Sequence, residues 1–402
     1  MCYYSSINPI GKALVYSENP ERCHSLLWKM KIITVLVISF VIFSPRTDAA
    51  IMKKVLLTDA TSKGAVCLDG SPPGYYIHTG TSSPNKWILH LEGGGWCYDE
   101  DDCVKRSKGI FGSSKDWPPF ITFSGLLSDD CTINPEFCGW SMVFIGYCDG
   151  ASFAGYVENP VNWKGTTLYF RGAKILEVVM DAILAAGGDK IEHVILTGCS
   201  AGGLATYLHA DYVRSKVPIH IPVHAIADAG FFLDAPNVDG KMHIRGLYQY
   251  VFNMQKCKDA VNQDCIAANP TEEWKCFMAQ YTYPYIKTPI FLLNARYDTW
   301  QLAHILQLTC HAPNCSDDQM KEFENYGNEF LNAAAPAISS ISNGVYIDSC
   351  QIHCQSLTIT PWSKFMVGGQ TMRDTFYAWL TNNSTVKSKV VDCAYPCNPT
   401  CY

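Results

Sequence analysis

The chain is predicted to be an α/β protein: a mostly parallel sheet with helices on both faces and disulfide-stapled loop insertions. Three observations predict it. Apolar, strand-like runs recur at residues 87–91, 142–147, 194–197, 223–227 and 289–294. Helical patterns lie between several of them, at residues 172–186, 203–215, 300–308 and 320–331. Strand–helix alternation implies crossover connections, which make neighbouring strands parallel and bury them on both faces. Finally, the cysteines cluster between the runs, in 97–148, 257–276 and 310–315, as stapled excursions from the sheet.

Composition supports one large core. Of 402 residues, 48% are hydrophobic and 17% charged, with no repeat, low-complexity tract or linker, so residues 50–402 read as a single domain. The 19 cysteines argue for an oxidising compartment. Residues 1–49 agree. Lys29 and Lys31 precede an apolar run over residues 32–43, followed by Ala49 and Ala50, which is the pattern of a secretory signal peptide. The run is shorter than the roughly 18–20 residues of a membrane span, so no stable span is expected after signal removal. The run begins unusually late. A start at Met30 gives ordinary signal geometry and makes residues 1–29 an upstream extension.

Cleavage after Ala49 removes Cys2 and Cys23 and leaves 17 cysteines, an odd number. Cys199 is expected to be the free thiol, with the others forming up to eight pairs. Asn314, Asn382 and Asn383 head N-glycosylation triplets, as suits a secreted surface. The formal charge is −6, and residues 1–49 carry five basic and three acidic groups, so the mature chain is nearer −8. Net charge therefore offers no attraction to nucleic acid or anionic lipid, and a polyanionic substrate would need a local basic patch.

The residues that carry chemistry begin with Gly198-Cys199-Ser200-Ala201-Gly202. A β-branched stretch precedes this Gly-x-Ser-x-Gly and a helix-forming stretch follows, the context of a nucleophile elbow in an α/β-hydrolase-like fold. The turn is so tight that Gly198 and Gly202 can carry no side chain. It lifts Ser200 Oγ clear of the sheet and aims the Ala201 N–H at the same point. The alternative is a purely structural turn.

A serine nucleophile needs a base, and the base an orienting acid. In this arrangement they follow the serine in the order acid, then histidine, at later strand ends. Asp228 and Asp298 are the acids. Spacing favours Asp298, which closes the later strand, although it could simply cap the following helix. His304, His311 and His353 are the histidines. His304 falls on a helix face, His311 in a cysteine-rich loop, and His353 in a polar loop between Cys350 and Cys354. A metal site at Cys350-x-x-His353-Cys354, or at Cys393, Cys397 and Cys401, is disfavoured because thiols in an oxidising compartment pair with each other. The run Glu92-Gly93-Gly94-Gly95-Trp96, after the first strand run, is the candidate oxyanion loop. It lacks the Gly-Lys-Ser/Thr that a phosphate loop requires.

With these residues in place, the chain resembles the plant pectin acetylesterase family, which also includes the animal carboxylesterase Notum. The resemblance spans residues 53–401. It rests on LEGGGWC (91–97), YCDGASF (147–153), GCSAGG (198–203), DAGF (228–231), Tyr297-Asp298-Thr299-Trp300-Gln301 and His353-Cys354-Gln355, among other stretches. By resemblance, Ser200, Asp298 and His353 match the family triad, and Gly94, Gly95 and Ala201 match its oxyanion hole. The resemblance implies a secreted cell-wall esterase acting on acetylated galacturonan, as a monomer, with no cofactor or metal. A Notum-like deacylase and a catalytically silent binding protein are the alternatives. Two departures stand out. Plant members carry cysteines where this chain has Ala210 and Ala225, which implies a disulfide lost as a pair. A Gly-Asp of the family reads Gly155-Tyr156, which bears on pocket polarity.

Overall fold

The structure is a computed structural model that describes residues 50–401, and its centre is a ten-stranded sheet. The signal peptide and the Met30 start fall on residues outside that range. In chain order the strands are β1 (Ala50–Leu56), β2 (Gly74–His78), β3 (Ser83–Leu91), β4 (Phe120–Phe123), β5 (Trp140–Ile145), β6 (His193–Cys199), β7 (Val223–Asp228), β8 (Ile290–Ala295), β9 (Gly344–Asp348) and β10 (Lys389–Val391). They lie in the order β10-β9-β8-β7-β6-β3-β5-β2-β1-β4. From β10 to β5 every pairing is parallel, while β2, β1 and β4 add antiparallel strands at one side.

Five of the parallel strands, β3, β5, β6, β7 and β8, coincide with the apolar runs anticipated from sequence. Every residue of β5, β8 and β9 is buried, as strands covered on both faces must be. Helix α1 (Glu100–Arg106) lies in a loop excursion closed by the Cys97–Cys103 disulfide. Helix α2 (Gly172–Gly187) buries a stripe of Ile175, Leu176, Val179, Met180 and Ile183, the spacing of one helical face. Helix α3 (Ala201–Lys216) is buried continuously from Ala201 to Ala210 and contacts β6 and β7.

Two helices differ from their sequence expectation. Helix α4 spans only Thr299–His304, because Gln307 turns left-handed at φ 57° and ends the run early. Helix α5 (Asp317–Ser339) starts earlier and runs longer than its apolar pattern. Its start is set by a capping box between Ser316 and Gln319, not by an apolar residue. No helix among the described residues is long and apolar enough to cross a membrane.

The topology selects one position for a site. β3 has β5 on one side and β6 on the other, and after β6 the chain moves steadily outward through β7 to β10. The order therefore reverses at β3 and β6, and the crevice beyond their carboxyl ends is the switch point where open α/β sheets bind ligands.

Among the described residues the cysteines form eight disulfides and leave one thiol, but that thiol is not Cys199. Cys199 is bonded to Cys354, and the free cysteine is Cys257, which is fully buried. The expectation failed because residues 155 apart in sequence become neighbours only when β6 and the loop after β9 converge. Cys350 pairs with Cys401 and Cys393 with Cys397, so the sulfurs of both metal motifs are spent in disulfides. Ala210 and Ala225 are both fully buried. Asn314, Asn382 and Asn383 are all exposed.

Candidate active site

Ser200 stands directly after β6 with φ 60° and ψ −124°, a conformation disfavoured for a residue bearing a Cβ. The backbone around it enforces this geometry. Ser200 N–H donates to Asp228 O at 3.0 Å, and Ser200 O accepts from Leu204 N at 2.8 Å, starting α3. A Cβ on Gly198 would lie 2.2 Å from Gly202 O, and one on Gly202 2.0 Å from Leu91 O. Both glycines are therefore required by contact, as the tight turn implies. A Cβ on Gly93 would sit 3.1 Å from Ser200 Cβ, so the glycine loop after β3 lies against the serine.

The loop after β9 carries His353 to the same crevice. His353 Nδ1 lies 2.8 Å from Asp298 Oδ2 and 3.0 Å from Oδ1. Asp298 is 1% exposed and also caps α4, its Oδ1 accepting from Gln301 N at 3.0 Å. One carboxylate thus both engages His353 and caps the helix. His353 Nε2 is buried and has no hydrogen-bond partner. Burial by itself lowers the imidazole's pKa, but the Asp298 carboxylate, with Asp228 beyond it, outweighs that and holds it above 6.5.

Asp228, the other candidate acid, does different work. Its Oδ2 accepts from Gln355 N, Ser356 N and Ser356 Oγ, each at 2.7 Å. One residue thereby anchors the chain just after His353 with its side chain and the elbow with its main-chain oxygen. Burial raises its pKa against those hydrogen bonds. The Cys199–Cys354 disulfide adds a covalent tie, joining the residue before Ser200 to the residue after His353 with a Cα–Cα distance of 5.7 Å. His304 and His311 are exposed; His304 packs its ring against Trp300 at 4.7 Å.

The disulfide has a measurable consequence. Replacing Cys199 and Cys354 together by Ala is expected to lower unfolding free energy by roughly 2–4 kcal/mol. It should also reduce kcat more than it raises KM, because the His353 loop loses its tie to the elbow. Urea denaturation and steady-state kinetics on the same preparation check both effects; unchanged stability and kcat would show the bond to be dispensable.

Gly94 and Gly95 adopt φ 135° and 67°, backbone that favours glycine. A cavity of about 350 Å³ opens beside them, lined by Trp96, Asp102, Lys105, Arg106, Ile110 and Phe111. On the His353 side the crevice is walled by aromatics in mutual contact. Trp96 meets Phe232 at 5.1 Å, Tyr248 at 5.0 Å and Trp300 at 5.8 Å, and Trp300 meets His353 at 6.2 Å. Tyr156, at the departure from the family's Gly-Asp, is exposed and lines a separate cavity of about 610 Å³ between α2 and α3. That cavity's lining includes none of Ser200, Asp298 or His353.

Comparison with known proteins agrees with this architecture. The pectinacetylesterase family model matches residues 46–402. Pectin acetylesterase 5 of Arabidopsis thaliana is 38% identical over 368 residues, covering 88% of this chain and 85% of that protein. The chain belongs to the pectinacetylesterase family. This pectinacetylesterase-family chain is accordingly a carboxylic ester hydrolase. More distant is the palmitoleoyl-protein carboxylesterase notum1 of Xenopus laevis, 28% identical over 85% of this chain and 72% of its own length. The crystal structure of the Wnt deacylase Notum from Drosophila superposes with a TM-score of 0.76 at 24% identity. It covers 87% of this chain and 99% of that one, and identifies the shared fold.

Two contributions are not legible in the sequence. Asp228 reads there only as a rival acid, although its place at the end of β7 beside the elbow strand is what lets it serve as an anchor. The YCDGASF stretch carries no chemistry there beyond the resemblance.

Proposed function

We propose that this chain is a secreted pectin acetylesterase in which Ser200, His353 and Asp298 act as nucleophile, base and orienting acid. The observation that carries the reading is the state of His353. Its Nδ1 is engaged by a buried carboxylate, while its Nε2 is buried and unpartnered beside the elbow. In the reaction, Nε2 takes the proton of Ser200 Oγ as the Oγ–carbon bond forms. Gly94, Gly95 and Ala201 N–H groups receive the oxyanion. The C–O bond to the sugar then breaks, and the alcohol leaves with the proton held on Nε2. Water, deprotonated by His353, attacks the acetyl-serine and releases acetate and free Ser200.

Two features support a short acyl group on an anionic polysaccharide. The aromatic wall beside His353 is closed by contacts of 5.0–5.8 Å, and its members Trp96, Phe232 and Tyr248 are buried, which leaves little room for a long chain. Lys105 and Arg106, on the cavity beside the glycine loop, supply the local positive charge that a uronate polymer needs on a net-acidic protein. The eight disulfides fit an extracellular setting.

Acetate release from acetylated galacturonan, acetylated xylan and aryl esters of increasing chain length tests the reading. Acetylated galacturonan is expected to be the best polymer, with kcat/KM falling beyond the shortest acyl chains. Preference for long chains would favour a Notum-like deacylase. Absence of fluorophosphonate labelling would favour a silent binding protein.

A further inference from the structure

The YCDGASF stretch is left without a role by the triad, yet its hydrogen bonds run to both sides of the nucleophile. Gly95, at φ 67°, has open space where a Cβ would be, so no packing at its Cα holds it. Its flanking peptides are held instead by their carbonyls. Gly94 O accepts from Arg106 Nη1 at 2.8 Å, and Gly95 O accepts from the Tyr147 hydroxyl at 2.8 Å. In a planar trans peptide the N–H points opposite the preceding C=O, so fixing Gly94 O fixes the direction of the Gly95 N–H.

The same network reaches the elbow. The Tyr147 hydroxyl, while donating to Gly95 O, accepts from Ser152 N at 2.9 Å. Ser152 Oγ donates to Ala201 O at 2.7 Å and accepts from Trp96 Nε1 at 2.8 Å. Tyr147 and Ser152 are fully buried. Ser152 is held at φ 51° in a turn whose flanking amides, Ala151 N–H and Phe153 N–H, both donate to Asp149 Oδ2 at 3.0 Å. On the outer side, Arg106 Nε donates to Phe111 O at 2.9 Å, and its guanidinium lies over the Tyr147 ring at 4.8 Å.

We propose that Tyr147, Ser152 and Arg106 are positioning residues that hold the two halves of the oxyanion hole in register. Tyr147 and Arg106 clamp Gly95 from its two flanking peptides, and Ser152 connects that clamp to Ala201. The inference rests on the reading of Ser200 as nucleophile. It gives the YCDGASF stretch a function: a bracket between the glycine loop after β3 and the start of α3. The oxyanion donors sit on backbone with no side chains of its own, so their precision must come from neighbours.

Tyr147→Phe keeps the ring and its contact with Arg106 but removes the hydroxyl that joins Gly95 O to Ser152 N. Removing an oxyanion donor outright typically costs about 10²–10³ in kcat, and loosening one should cost about 10–100-fold. On an aryl acetate, kcat is expected to fall by that factor with KM within about twofold, and fluorophosphonate labelling should slow in parallel. Arg106→Gln, at a partly exposed position, is expected to show the same kcat-specific loss, and Arg106→Lys to recover part of it. A merely structural role would lower the melting temperature without this kcat–KM split. If both variants stay folded and keep kcat within twofold while Ser200→Ala is inactive, the positioning inference is overturned and the nucleophile reading stands. Should Ser200→Ala itself remain active, the nucleophile reading fails first. If Tyr147→Phe does not fold, the Arg106 pair decides alone.

Discussion

Ser200→Ala is expected to lower kcat/KM for acetyl esters by on the order of 10⁵–10⁶ while the protein remains folded. The reasoning is chemical: no acyl-enzyme can form without Oγ, and the oxyanion donors alone retain only a small residue of catalysis. The fold should survive because the elbow is held by the backbone. Ser200 N bonds Asp228 O, Leu204 N bonds Ser200 O, and Gly198 and Gly202 are pressed against main-chain oxygens. Alanine keeps the same Cβ and so inherits the same φ of 60° without added strain. Acetate release together with intact-mass analysis after fluorophosphonate treatment makes the check. One adduct is expected on the wild type and none on the variant. Retention of more than about 1% activity would place the nucleophile elsewhere.

Asp298→Asn is expected to lower kcat by about 10⁴. The structure gives the reason. Asp298 Oδ1 accepts from Gln301 N, so an asparagine keeps its oxygen there and turns its amide nitrogen toward His353 Nδ1, where Oδ2 now lies at 2.8 Å. An N–H facing Nδ1 places the imidazole proton on Nε2, and the ring can no longer take the proton of Ser200. The pH profile carries a second signature. His353 must be neutral to act as base, so kcat/KM falls as pH drops through its pKa. In the wild type burial lowers that pKa but Asp298 and Asp228 together raise it, so the acid limb should lie above 6.5. In the variant the largest raising influence is gone, and the limb of the residual activity should move to lower pH. A limb that stays in place would show that another group titrates.

Much of the sheet was legible because buried parallel strands are short, nearly unbroken apolar runs, and β3, β5, β6, β7 and β8 each contain one. β1 was not: its AIMKKVL stands near the edge, where an exposed position admits Lys53 and a half-buried one admits Lys54, whose Nζ donates to Trp117 O. β9 and β10, only five and three residues long, give too little pattern to separate from loop. Helix ends were misplaced where a cap or a left-handed residue, not an apolar stripe, sets the boundary. Ser316 begins α5 early, and Gln307 stops the turn after α4.

Within the site, the elbow could be read locally because its chemistry is local: tight turn, small flanks, strand before and helix after. Candidate partners could be reduced to two acids and three histidines by their order along the chain and their place at strand ends. Contact pairs Asp298 with His353, and contact is a property of the folded sheet. β8 and β9 lie side by side, so Asp298 and His353 emerge at adjacent strand ends 55 residues apart in sequence. β7 lies between β6 and β8, so Asp228 serves as anchor to both the elbow and the histidine loop.

The sequence by itself determined the fold class, the tight Gly-x-Ser-x-Gly turn between strand and helix, the glycine loop and the odd number of cysteines, because each depends on near neighbours or on simple counting. Only the tertiary structure decided which described cysteine is free, that Cys199 joins Cys354, and that Tyr147 and Ser152 link the glycine loop to the start of α3. Those pairings close over tens to hundreds of residues, and their partners are chosen by strand order and burial, which no local pattern encodes.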